Sequence, residues 1–105
     1  MEEAAEGFKL LITYDVKSDR MQDYYRFMLG RFVPSLADLG LEMSDAWHTA
    51  YGDHPNRLIG FIARDEATLR SVLDAEVWTS LNQELDDYVN DFHYKVVPYR
   101  QGFQF

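Results

Sequence analysis

From Phe8 to Val16 apolar and polar positions alternate. Phe8, Leu10, Ile12, Tyr14 and Val16 share one side, and Lys9, Leu11, Thr13 and Asp15 the other. A period of two with one strongly apolar side specifies a strand. The period then lengthens: Met21, Tyr24, Tyr25, Met28, Phe32, Leu36 and Leu39 recur at helical spacing, with Ser18-Asp19 as N-cap and Gly40 where a left-handed C-cap belongs. Pro34 cannot donate to the carbonyl of Gly30 and crowds it, so the helix is expected to kink there or to break in two.

A second strand is expected within Leu41–Tyr51, clearest from Ala46, with Trp47, Thr49 and Tyr51 on one face. The run from Gly52 to Asn56 has turn composition, and Arg57–Ala63 alternates again, with Arg57, Ile59, Phe61 and Ala63 opposed to Leu58, Gly60 and Ile62. These two strands form an antiparallel hairpin. Asp65 caps a second helical region whose stripe is Leu69, Val72, Leu73, Val77, Leu81, Leu85, Tyr88 and Val89, with slack at Asp74-Ala75-Glu76. Phe92–Val97 is the last strand, which Pro98 either stops or marks as a sheet edge.

The order strand, helix, hairpin, helix, strand predicts an α+β domain of the ferredoxin-like β-α-β-β-α-β kind: a four-stranded antiparallel sheet with both helices on one face. The opposite face is too apolar for water in either strand parity, since it includes several of Leu11, Val97, Phe61, Ile59, Trp47 and Tyr51. A second copy of the chain is the expected cover, making a homodimer with two sheets face to face.

Composition narrows the partners. The 105 residues suit one domain, residues 8–105, preceded by an acidic tail at residues 1–7 that is expected to be disordered. Ten Lys and Arg against 18 Asp and Glu give a formal net charge of −8, which disfavours nucleic acid and anionic membrane surfaces. With no cysteine there are no disulfides, thiolate metal sites or cysteine nucleophile. The acidic N-terminus is unlike a signal peptide and no run is long enough to span a bilayer, so a soluble cytoplasmic protein is expected. No phosphate loop or nucleophile elbow occurs, and no cofactor is implied.

The element order, Leu39-Gly40-Leu41 at the entry to the second strand, and Ala75-Glu76-Val77-Trp78 together resemble the dimeric α/β-barrel superfamily. That group holds small antibiotic-biosynthesis-type monooxygenases, haem-degrading enzymes and NIPSNAP-like proteins, and Ala75–Trp78 is similar to a Ser-Glu-x-Trp stretch of the last. The resemblance spans residues 8–99 and implies the fold and the dimer. The Trp and His that catalytic relatives often carry fall at about Ala63 and Val72, so neither role carries over.

The remaining candidates for chemistry are few. His48 and His93 lie on strands and could act as a general base; His54 belongs to the turn. Tyr14, Trp47, Tyr51, Tyr94 and Tyr99 could line an aromatic pocket between the sheets for a small hydrophobic ligand, or could simply pack. Arg57 and Arg64 flank the third strand and could anchor a carboxylate; Asp15 is a candidate ion-pair partner for Arg64. Glu84, Asp86, Asp87, Asn90 and Asp91 fit no calcium loop and read as a solvated face, and no histidine spacing suggests a metal. Two functions are expected as alternatives: a cavity binding a small hydrophobic or aromatic molecule, which could serve a cofactor-independent monooxygenase- or isomerase-like enzyme, or a non-catalytic dimeric binding or assembly module. Phe103 and Phe105 are expected to dock the C-terminal tail, across the dimer or on their own subunit.

Overall fold

A computed structural model describes residues 6–48 and 56–100; the side chains of Glu6, Tyr99 and Arg100 are left aside. Strand β1 is Glu6–Val16, so it opens two residues before the alternation becomes strongly apolar. There Glu6 and Gly7 pair with Arg100 and Tyr99 of β4. A 3₁₀ turn at Ser18–Arg20 leads into helix α1, Met21–Phe27. Neither Ser18 nor Asp19 caps α1; they make the 3₁₀ turn instead, and α1 begins with no side-chain cap.

The backbone then passes through a π-helical turn, Met28–Phe32, into helix α2, Val33–Asp38. This is how the chain absorbs Pro34: widening the turn just before the proline relaxes the demand on the Gly30 carbonyl. Phe32 and Val33 keep right-handed helical angles, so the helix is not broken in two. Gly40 ends it with φ of +104°, and a Cβ there would lie 2.8 Å from the Thr68 side chain, so glycine is needed twice over.

Strands β2 (Leu41–His48) and β3 (Arg57–Ala63) form the hairpin; Thr49–Tyr51 and the turn residues 52–55 lie outside the described residues. Asp65 caps helix α3, Glu66–Asp74, by accepting from the Thr68 backbone N–H at 2.8 Å. Ala75 is extended and separates α3 from helix α4, Glu76–Leu85, at the slack the sequence shows. Strand β4 runs Val89–Arg100, longer than expected at both ends, and it takes Val89 away from the helical stripe. Pro98 sits inside β4, and the strand order β2-β3-β1-β4 makes β4 an edge, where a missing donor is tolerated.

Every neighbouring strand pair is antiparallel, which is the expected ferredoxin-like α+β sheet. The helices pack on the face carrying Leu10, Ile12, Tyr14, Ile59, Phe61 and Ala63, which together with Phe32, Leu36, Trp78, Leu81 and Leu85 form the core. Ala63 and Val72, where the resemblance would set a Trp and a His, are both buried in it.

The candidate site: two faces set by two bulges

Strand alternation alone would carry a single parity from end to end. Two bulges interrupt it. In β2, Met43 pairs with Phe61 and Asp45 with Gly60, leaving Ser44 as an extra residue. In β4, Thr13 pairs with His93 and Asp15 with Asn90, so Asp91 and Phe92 together oppose Tyr14. Asp91 takes φ of 56°, the left-handed conformation that Asp tolerates better than most residues.

These insertions sort the candidates. Cross-strand partners share a face, so Trp47, paired with Leu58, projects from the open side, and His48, paired with buried Arg57, from the helix side. His93, paired with Thr13, faces the open side; Phe92 and Tyr94 turn toward the helices. The two histidines proposed as alternatives therefore cannot serve one cavity.

The open face carries Leu11, Thr13, Leu58, Ile62 and Val97, with Trp47 67% exposed. Lys9 reaches across β3 to Asp45 at 2.8 Å, over Gly60. A Cβ at Gly60 would lie 2.8 Å from Asp45 Oδ2 and 3.3 Å from Leu11 Cδ2, so the bridge requires the missing side chain. The Lys9 hydrogen bond, helped by the Lys9 charge and opposed by burial, holds the Asp45 carboxyl below its usual range. Beside the bridge lies a pocket of about 410 Å³ lined by Leu11, Thr13, Leu58, His93, Tyr94 and Lys95.

Tyr14 is not at that pocket. It is fully buried under the helices, where its hydroxyl shares a 2.7 Å hydrogen bond with that of Tyr24 and its ring stacks 6.4 Å from Phe92. Burial, then neighbouring Tyr24, pushes the Tyr14 phenol far above its usual range, and burial also raises Tyr24, so both stay neutral. Tyr94 packs edge-on against Trp78, 5.4 Å between centroids, on the helix side. Arg64 lies at the other end of β3, beside Gly40, Glu42, Met43 and Ile62. It is not the partner of Asp15: antiparallel register puts Ala63 opposite Phe8, at the far end of β1. Asp15 instead accepts from the Asn56 backbone N–H at 2.7 Å. Tyr51 and the C-terminal Phe103 and Phe105 lie outside the described residues, and Tyr99 is described only as backbone pairing.

A group missed as a set is Arg57 with its tyrosines. Its guanidinium donates to Tyr25 Oη at 2.7 Å and lies 5.8 and 5.6 Å from the Tyr24 and Tyr25 ring centres, although the residue is only 6% exposed. The signal was present: a charge sits on the apolar parity of β3, opposite a helix carrying adjacent tyrosines. Among the described residues no cluster of His, Asp or Glu could hold a metal, and no helix is long and apolar enough to cross a membrane. Glu84 of the acidic group pairs with Arg31 at 2.7 Å, while Asp86 and Asp87 are exposed in the turn after α4.

The fold and its open face define a class of small ferredoxin-like α+β proteins, and comparison with solved structures agrees. The chain is similar to a NIPSNAP family protein of unknown function from Agrobacterium tumefaciens, with a TM-score of 0.67 at 10% identity, covering 97% of this chain and 96% of that one. It is similar to a putative antibiotic biosynthesis monooxygenase from Nitrosomonas europaea, with a TM-score of 0.64 at 13% identity, covering 98% and 96%. An uncharacterized NIPSNAP domain protein from Burkholderia xenovorans gives 0.61 at 10%, covering 86% and 91%. These likenesses establish the fold. No family model matches the sequence, and no curated protein matches it.

Proposed function

We propose that the protein is a homodimer closed by its two open sheet faces, and that the pocket beside Leu11, Leu58 and His93 becomes an enclosed chamber for a small hydrophobic or aromatic molecule. The observation that carries this reading is the one-sided helix layer, which leaves Leu11, Leu58, Ile62 and an exposed Trp47 without cover. Charge favours a second copy as the cover. On this face β2 carries Glu42 and Asp45 while β4 carries His93 and Lys95. A two-fold axis parallel to the strands lays the acidic β2 of one copy over the basic β4 of the other.

His93, Lys95 and the Thr13 hydroxyl supply polar groups beside the apolar Leu11 and Leu58. A cofactor-independent monooxygenase- or isomerase-like reaction, of the sort the name of the Nitrosomonas neighbour suggests, would rest on His93 as base. The Lys9–Asp45 bridge favours a second reading, an assembly module without chemistry, because it fills the centre of the face with side chains.

Sedimentation equilibrium with a Nile red titration tests both. The expected result is a dimer with saturable dye binding, and a monomer without it for Leu58→Lys. A chain that stays monomeric at high micromolar concentration overturns the proposal; a dimer that binds no dye returns the assembly reading.

A further inference from the structure

A second site, on the opposite face of the sheet, follows from Arg57. Buried guanidinium groups ordinarily sit against a carboxylate, since an unpaired charge out of water is costly. Arg57 is 6% exposed, yet among the described residues no acidic side chain pairs with it. Its partners are neutral: the Tyr25 hydroxyl at 2.7 Å, Met21 Sδ at 3.5 Å, and the rings of Tyr24 and Tyr25. Asp15, next to Tyr14 on β1, alternates to the other face, where it pairs with Asn90 and accepts from Asn56.

Next to this cation the helix layer stops short. On the helix side of β2, Met43, Ala46 and His48 are all exposed, and Tyr25 is 45% exposed at the border. The result is an apolar ledge with His48 and Arg57 directly across the strand pair from each other at its end. We propose that this ledge binds an aromatic carboxylate, with the carboxylate on the Arg57 fork and His48, and the ring against Tyr25, Ala46 and Met43. The guanidinium is already pinned by the tyrosines, so little side-chain freedom is lost on binding, and its planar fork matches a carboxylate. Tyr25 Oη is both the positioning partner of Arg57 and a hydroxyl within reach of the same anion. The site lies on the face away from the proposed dimer contact and stands independently of it.

Benzoate is the probe, with neutral benzamide of the same shape as control. In calorimetric titrations of the full chain, benzoate should bind saturably and benzamide should not; Arg57→Met should weaken benzoate at least about tenfold, a loss of about 1.4 kcal/mol. Tyr25→Phe should weaken it less, and Leu58→Lys on the other face should leave it unchanged. If Arg57→Met does not fold, the Arg57 Nε–H resonance of the wild-type protein decides: benzoate should move it and benzamide should not. Equal binding by benzamide, benzoate binding retained in a folded Arg57→Met, loss of binding in a folded Leu58→Lys, or an Arg57 resonance that benzoate leaves in place each overturns the proposal.

Discussion

On the helix side of the sheet Leu10, Ile12, Tyr14, Phe61 and Ala63 have no exposed surface at all; on the open side Leu11, Thr13, Leu58 and Ile62 stay partly in contact with solvent and Trp47 stands 67% exposed. Both faces come from the same four strands, so intrinsic strand preference cannot explain the difference. What separates them is cover. Over β1 and β3 the helix side is closed by α1 to α4 into an aromatic-rich core in which the Tyr14 and Tyr24 hydroxyls satisfy each other, and only its β2 margin is left exposed. The open side carries an ion pair, Lys9–Asp45, in the middle of an apolar field. A finished face depends on its own subunit for stability; an unfinished one depends on association.

Truncating the finished face should cost most. Phe61→Ala removes a fully buried ring that packs 6.1 Å from Phe32, and urea denaturation should show a loss of about 3–5 kcal/mol. Leu11→Ala, on the neighbouring strand but on the open side, should change intrinsic stability far less and appear instead as a weaker dimer in sedimentation. Equal losses in a monomeric state for both variants would erase the contrast between the faces.

Tyr14→Phe comes next. It keeps the ring against Phe92 but strands the Tyr24 hydroxyl in the core, an unsatisfied group worth about 1–3 kcal/mol. Because both phenols are raised by burial, the loss should be the same at every pH from neutral to mildly alkaline, and a denaturation series over that range checks it. Gly60→Ala tests the open side on a smaller scale. The new Cβ meets the far end of the Asp45 side chain, which can swing away, so about 1 kcal/mol is expected, near the low end for overpacking. Combined with Asp45→Asn, the two losses should fall short of adding, since both remove the same bridge.

Much of this contrast was legible in the sequence, and what escaped has a physical reason. The alternation of β1 and β3, the Asp65 cap, the break at Ala75 and the left-handed Gly40 all rest on local rules, and all appear where the chain places them. The faces of β2 and β4 did not follow, because one inserted residue reverses every side chain beyond it. Without Ser44 as the extra residue, Trp47 would share the helix side of the sheet with Leu41 and Met43; without the Asp91 bulge, His93 would share a side with buried Val89. The second bulge had a local sign, Asn90-Asp91, two residues that enter left-handed backbone readily. The first had none stronger than a serine. The sequence presents Arg57 as a strand-end cation, and only the packing of α1 shows that it is buried among tyrosines, because that contact is set by helix placement and not by strand period.

The smallest effect belongs to the bridge itself, and it bears most directly on whether the open face is covered. Asp45 has its carboxyl pKa lowered in the folded chain, chiefly by the Lys9 hydrogen bond. A group depressed on folding stabilises above its unfolded value, about 3.9, and loses that contribution as the pH falls through the lower folded value. Asp45→Asn should therefore cost less than about 1 kcal/mol at pH 7, since the pair is partly exposed, and the gap between wild type and variant should close in strongly acid solution. Salt separates the two states of the face. If the pair stays open to water, molar salt should remove most of its contribution; if a second copy covers it, screening should weaken and the gap should survive salt. The same measurement on Leu58→Lys, where the cover is designed to be absent, should restore the salt sensitivity. A gap that vanishes in salt for both proteins would place the bridge in solvent, and the face with it.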